Sequence, residues 1–212
     1  MIFLCQNDSD IERACETAAN TKTDGKIIAY PTESTYALGC RFDDLRAIEQ
    51  IYQIKNRPIV KIFPLIIGDI ESLNMVVSQI NDVEKSLMDR YWAGALTILF
   101  DAKSTVPPSI VGENNKIAVR MSGHKIAKSL AQKMGCPIIA TSANPSGFKP
   151  AVNVSEILEY FDDKIDVIID GGQCLGGQPS TIIEVVNGSV KIIRHGAIAR
   201  EDIANNGFNV LY

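Results

Sequence analysis

The amino-acid sequence predicts an α/β domain with a mixed β-sheet and flanking helices. Three observations carry that expectation. Short apolar runs alternate with amphipathic helical stretches over most of the chain, which favours parallel strands joined by crossover helices. Towards the end, Thr181–Val186 and residues 191–194 flank Asn187-Gly188, a two-residue signal for an antiparallel hairpin. No Gly/Ser-rich, Pro-rich or apolar-poor tract divides the 212 residues, so one domain spanning 1–212 is expected.

The elements follow in order. Ile2–Leu4 reads as a short strand, and Ser9 as the N-cap of a helix to Asn20 with Ile11, Ala14, Cys15 and Ala18 on one face. Gly25 breaks that helix, and residues 26–30 form a buried strand ending at Pro31. Leu45, Ile48, Ile51 and Tyr52 mark a second helix, which stops before the Asn56-Arg57-Pro58 turn. Strands are expected at 63–67, 96–100, Lys116–Met121, 138–141 and Val167–Asp170, with helices at 82–90, Lys125–Met134 and 155–161. Val106-Pro107-Pro108 is a loop.

Composition bounds the function. With 46% hydrophobic and 22% charged residues the chain can bury one sizeable core. A net charge of −4 argues against a general nucleic-acid binder, whose affinity comes from neutralising phosphates, but leaves room for a local basic pocket. Five cysteines without a C-x-x-C pair, and only two histidines, His124 and His195, argue for buried thiols in a reducing compartment and against a zinc site. The N-terminus has neither the basic start nor the apolar length of a signal peptide, and no run suits a membrane span, so a soluble cytoplasmic protein is expected. Gly172 and Gly177 have P-loop spacing, but Gln178-Pro179 follows where Lys-Ser/Thr is required.

Polar residues concentrate at the ends of the expected buried strands, where α/β proteins place their sites. Tyr30 to Gly39 offers the hydroxyls of Thr32, Ser34 and Thr35 and the ring of Tyr36; a self-satisfied surface turn explains the same residues. Lys55, Arg57 and Lys61 place three cations within seven residues, to hold phosphates or to solvate a helix end. Ala140 to Gly147 puts Ser142, Asn144 and free N–H groups after a strand, as an anion nest or a structural turn. Arg120 and Arg194 each end a strand, and Ser180-Thr181 follows a glycine-rich stretch. An arginine there takes a ligand anion or a structural carboxylate, because an unpaired buried cation is costly. No carboxylate pair and no Cys/His or Ser/His constellation stands out, which points to positioning and charge stabilisation without a protein nucleophile.

Together these segments resemble the YrdC-like family. Residues 31–39 are similar to its PTET-x-YGLG segment, and Lys55-Asn56-Arg57 with Ser142-Ala143-Asn144 to its K-x-R and S-x-N signature. Trp92 to Thr97 resembles WPGPLT, Ala118-Val119-Arg120 its AVR, and Pro179-Ser180-Thr181 its PST. The match runs from about residue 25 to 196, in the same order. The resemblance implies a twisted mixed-sheet fold with a concave basic cavity. It also implies a nucleotidyltransferase, an L-threonylcarbamoyladenylate synthase, using L-threonine, bicarbonate or CO2 and ATP with Mg2+ to serve N6-threonylcarbamoyladenosine modification of tRNA. On this resemblance Arg57, Lys61, Ser142 and Arg194 hold ATP and Ser34, Arg120 and Ser180 hold threonine. Lys55 and Asn144 complete the catalytic signature in the same cavity, no protein metal ligands are implied, and the partners are the threonylcarbamoyl transferase machinery and a tRNA contact. Ser34 stands where threonine is usual, Ala37 where glycine is, Ala93 and Ala95 where prolines are, and Lys61-Ile62-Phe63 where Lys-Pro-Leu is. Ile66 occupies the place of a threonine-contacting histidine in some members. The wording at 36–40 resembles the YciO-like branch, which leaves a nucleotide- or RNA-binding protein of weak or different activity as the alternative.

Overall fold

A computed structural model describes residues 1–20, 25–58 and 62–211. The expected mixed α/β architecture is present, with the strands divided between two sheets. In chain order the strands are β1 (Ile2–Leu4), β2 (Ile28–Pro31), β3 (Tyr36–Gly39), β4 (Leu65–Ile67), β5 (Leu96–Asp101), β6 (Lys116–Met121), β7 (Ile138–Ile139), β8 (Thr141–Ser142), β9 (Val167–Asp170), β10 (Thr181–Val186) and β11 (Ser189–Arg194). The helices are α1 (Asp8–Asn20), α2 (Leu45–Ile54), α3 (Ile70–Leu73), α4 (Asp82–Tyr91), α5 (Lys125–Met134), α6 (Val154–Phe161) and α7 (Arg200–Asn205).

One sheet has the order β1-β9-β2-β3-β8, the other β11-β10-β5-β6-β4-β7. Parallel pairs (β1 with β9, β2 with β9, β10 with β5, β4 with β6) sit beside antiparallel ones in both. Every residue of β2 and β3 is buried, as their continuous apolar runs require of strands covered on both faces. Helices α1 and α5 pack together against this core, where the Cys15 thiol reaches the Ile126 carbonyl oxygen. All five cysteines are free.

Local chemistry explains most boundaries. Helix α1 starts one residue before Ser9, and the cap is Asn7, whose side-chain oxygen accepts from the Asp10 N–H at 3.0 Å. Asp44 caps α2, Asn81 and Glu84 form a reciprocal capping box on α4, and Gly135 closes α5 with φ 62°. The Asn187-Gly188 hairpin forms as expected, with both residues at positive φ.

Two differences from the sequence reading matter for the site. The strand expected at 138–141 is two strands in different sheets: β7 pairs with β4, and β8 pairs with β3. Between them the Ala140 N–H bonds to the Pro64 carbonyl at 2.9 Å, so the chain crosses from one sheet to the other at this residue. The second is β3, read as part of a polar segment, which instead runs antiparallel to β2 through the core. Gly39 makes this possible, because a Cβ there would stand 2.1 Å from the Ile139 carbonyl oxygen. Helices α3 and α7 are also additions to the expected elements.

Candidate functional site

A cavity of about 290 Å³ opens where the two sheets meet. Strand β2 ends at Pro31, and the chain reverses through a turn in which Thr32 bonds to the Thr35 carbonyl with its N–H (3.0 Å) and its hydroxyl (2.7 Å). That turn sets Ser34 in the wall. The crossing at Ala140 brings Thr141 and Ser142 to the opposite side, and the stretch after β9 brings Gly177, Pro179 and Ser180. Arg57, Arg120 and Arg194 complete the charged lining.

Each arginine is held differently. Arg57 follows Asn56, whose φ of 48° turns the chain out of α2. Its Nη2 donates to the Ile62 carbonyl at 3.0 Å and its guanidinium lies 5.1 Å from the Phe63 ring centre, over a ring stacked on Tyr52. Burial lowers the pKa of Arg57, with Tyr52 opposing. Arg194 ends β11 and donates through Nη2 to the Ser180 carbonyl (2.7 Å) and hydroxyl (3.1 Å). The same hydroxyl lies 2.8 Å from Thr97 Oγ1. Burial and then the like charge of Arg120 lower the pKa of Arg194.

Arg120 ends in an ion pair. Its Nη1 donates to both oxygens of Glu33, at 2.9 and 2.8 Å. Glu33 Oε1 also accepts from the Ser122 hydroxyl at 2.8 Å and the Gly123 N–H at 2.7 Å. Burial pushes the Glu33 carboxyl up, but Arg120 and the hydrogen bonds outweigh it and the pKa falls below its ordinary value. Beside the main cavity lies a chamber of about 210 Å³, walled by Glu33, Ser34, Ala95, Arg120, Gln178 and Ser180 among others. Ser34, Arg120 and Ser180 belong to both spaces, whereas Arg57, Ser142 and Arg194 face only the larger one.

Not every signature residue faces the cavity. Lys55 is 1% exposed, and its ammonium donates to the backbone carbonyls of Ser142 and, at 2.6 Å, Asn144. Its own carbonyl accepts from the Ser146 N–H at 2.7 Å. Lys55 therefore fastens the loop after β8 from behind. Asn144 is buried as well, with its amide nitrogen on the carbonyls of Pro145 and Phe148. Lys61 lies outside the described residues. Glu33, passed over in the sequence because its neighbours offered hydroxyls, is the carboxylate on which Arg120 closes. Its spacing from Arg120 carries no local signal.

A larger groove of about 510 Å³ runs along α2, lined by Leu45, Ile48, Tyr52 and Gln53, and shares only Arg57 with the cavity. Its walls are mainly apolar, so size and chemistry point to different places. Convergent cations and hydroxyls mark the smaller cavity as the better candidate site. Among the described residues no group of three or more His, Cys, Asp or Glu could hold a metal ion, and no helix is long and apolar enough to cross a membrane.

Fold and cavity together define an α/β domain whose two sheets meet at a cavity lined by guanidinium and hydroxyl groups. The chain belongs to the Sua5/YciO/YrdC family, described as telomere recombination, which matches residues 20–196. It is 37% identical over 174 residues to a threonylcarbamoyl-AMP synthase of Marinobacter nauticus, covering 81% of this chain and 90% of that one. The structure of P. abyssi Sua5 complexed with L-threonine is similar at a TM-score of 0.88 and 30% identity, over 100% of this chain and 62% of that one. E. coli YciO is similar at a TM-score of 0.84 and 27% identity, over 95% of this chain and 98% of that one. The chain thus spans less than two thirds of the Sua5 chain but nearly all of YciO.

Proposed function

We propose that this chain is an L-threonylcarbamoyladenylate synthase, a nucleotidyltransferase that joins L-threonine, bicarbonate or CO2 and ATP and serves tRNA modification. The observation that carries the reading is the partition of the site. Arg57, Ser142 and Arg194, the residues proposed for ATP, face only the larger cavity, and Ser34, Arg120 and Ser180, proposed for threonine, wall its junction with the side chamber. Two ligands bound in those spaces meet at that junction.

In the reaction, the amine of threonine adds to CO2 and loses a proton, giving a carbamate. A carbamate oxygen then attacks the α-phosphorus of ATP, the bond to the bridging oxygen breaks, and pyrophosphate leaves. Such chemistry depends on alignment and on neutralising developing charge, which the guanidinium groups of Arg57 and Arg194 supply. Lys55 acts at one remove, by holding the Ser142 loop. Magnesium enters as the ATP complex and is held by phosphates, in keeping with a charged lining made mostly of arginine. The labile product passes to threonylcarbamoyl transferase machinery in the cytoplasm, with tRNA as the final acceptor.

The near-complete overlap with YciO favours one other reading, a nucleotide- or RNA-binding protein of weak or different activity. Pyrophosphate release from ATP and Mg2+, with threonine or bicarbonate omitted in turn, separates the two. Release that requires both supports the synthase. Absence of release, or release indifferent to threonine, refutes it.

A further inference from the structure

We propose that Glu33 is a positioning residue that dedicates Arg120 to the carboxylate of the amino-acid substrate and withholds it from the phosphates bound alongside. The inference rests on the synthase reading and extends it to a residue outside the contacts assigned above. Arg57, Arg120 and Arg194 line one cavity, and a triphosphate outcompetes a single carboxylate for any unrestrained guanidinium, since it carries several charges. Arg194 is held by neutral oxygens of Ser180, whereas Arg120 is held by a carboxylate.

The geometry of that pair is one-sided. Both Glu33 oxygens accept from Nη1 of Arg120, and among the described residues Nε and Nη2 have no hydrogen-bond partner. The guanidinium thus keeps donors for a planar carboxylate while its net charge is offset. Such a group selects by hydrogen-bond geometry more than by charge. Glu33 is itself fixed by Ser122 and Gly123, so the pair cannot leave the junction of the two spaces without breaking two further bonds. The side chains are only 12% and 31% exposed, which limits screening by water.

The test is Glu33→Gln, which keeps the shape and removes the charge. Threonine binding is measured by calorimetry, and KM for threonine and for ATP from pyrophosphate release. Threonine affinity should fall about 10- to 100-fold, the loss expected of one charged hydrogen-bond partner. KM for ATP should stay within about threefold. Inorganic pyrophosphate should compete with ATP alone in the wild type and with threonine as well in Glu33→Gln. Glu33→Asp should recover part of the threonine affinity. Unchanged threonine binding in Glu33→Gln, or equal rises in both KM values, would overturn the proposal. If Glu33→Gln does not fold, Ser122→Ala removes a donor to Glu33 without altering the cavity wall, and should give the same split at smaller amplitude; no split there also overturns it. A wild type that binds no threonine overturns the synthase reading and this inference together, whereas normal wild-type binding with an unaltered variant overturns this inference alone.

Discussion

Lys55→Met isolates the contribution of a lysine that the structure buries with no carboxylate partner among the described residues. The side chain is 1% exposed and its ammonium holds the carbonyls of Ser142 and Asn144. Methionine keeps an unbranched stem of similar length and removes the donors. The Ser142 carbonyl still accepts from the Asn144 N–H at 3.0 Å, so the Asn144 carbonyl is the one orphaned, at a cost of about 1–3 kcal/mol. Relief from burying the lysine headgroup offsets part of that, leaving a net loss of about 0–2 kcal/mol. The remaining backbone bonds of the loop, Ala143 N–H to Tyr36 at 2.9 Å and Ala151 N–H to Ala143 at 3.0 Å, keep it folded but less firmly placed.

The same residue gives the prediction a pH signature. Burial first, and the charge of Arg57 second, lower the Lys55 ammonium from 10.5 to about 7. Between those values the unfolded chain binds more protons than the folded one. Stability therefore rises with pH across this window, by up to about 1.4 kcal/mol per pH unit from this group. Urea unfolding of wild type and Lys55→Met at several pH values from about 7 to 9 should show a difference that grows with pH. Pyrophosphate release should fall about 10²-fold, as expected for a small displacement of Ser142. A difference flat in pH, together with full activity, would refute both the fastening role and the depressed ammonium.

Three further outcomes follow from the site. Arg57→Ala should lower turnover about 10²–10³-fold with an unchanged circular dichroism spectrum, and near-normal turnover would remove Arg57 from the site. Ser180→Ala deletes the hydroxyl shared by Thr97 and Arg194 but leaves the carbonyl contact, so KM for threonine should rise about 5- to 20-fold while stability changes by about 1 kcal/mol or less. Gly39→Ala would set a Cβ 2.1 Å from the Ile139 carbonyl oxygen and 2.8 Å from the Tyr30 ring. Because both neighbours are buried, a loss of about 3 kcal/mol or more is expected, seen as a lower urea midpoint or insoluble chain.

Helices with clear periodicity were legible because burial of one face leaves a local pattern. Lys125–Met134 occurs with the bounds read from the sequence, and 155–161 within one residue of Val154–Phe161. Sheet membership was not legible. Residues 138–141 give one apolar run whether they serve one sheet or two, and the switch at Ala140 depends on Pro64, far away in the chain. The same limit applied to charge. Lys55 and Arg57 are equivalent in sequence, yet one points at backbone carbonyls and the other at the cavity, since α2 ends just before Lys55 and Asn56, at positive φ, reverses the chain between them. The Glu33–Arg120 pair joins residues 87 positions apart and needed three dimensions to be found.

The β10–β11 hairpin has a practical consequence. Ser180 and Arg194 sit at its open end, in the cavity wall, and its turn at Asn187-Gly188 is exposed at the other. A Cβ at Gly188 would meet nothing within 4 Å. The turn is therefore a splice point: a short peptide tag or a pair of fluorophore attachment sites inserted there would extend into solvent while the strands below keep their register. Such an insertion gives a reporter of ligand arrival on the hairpin whose open end places Ser180 and Arg194, the residues proposed above for threonine and ATP, in the cavity wall.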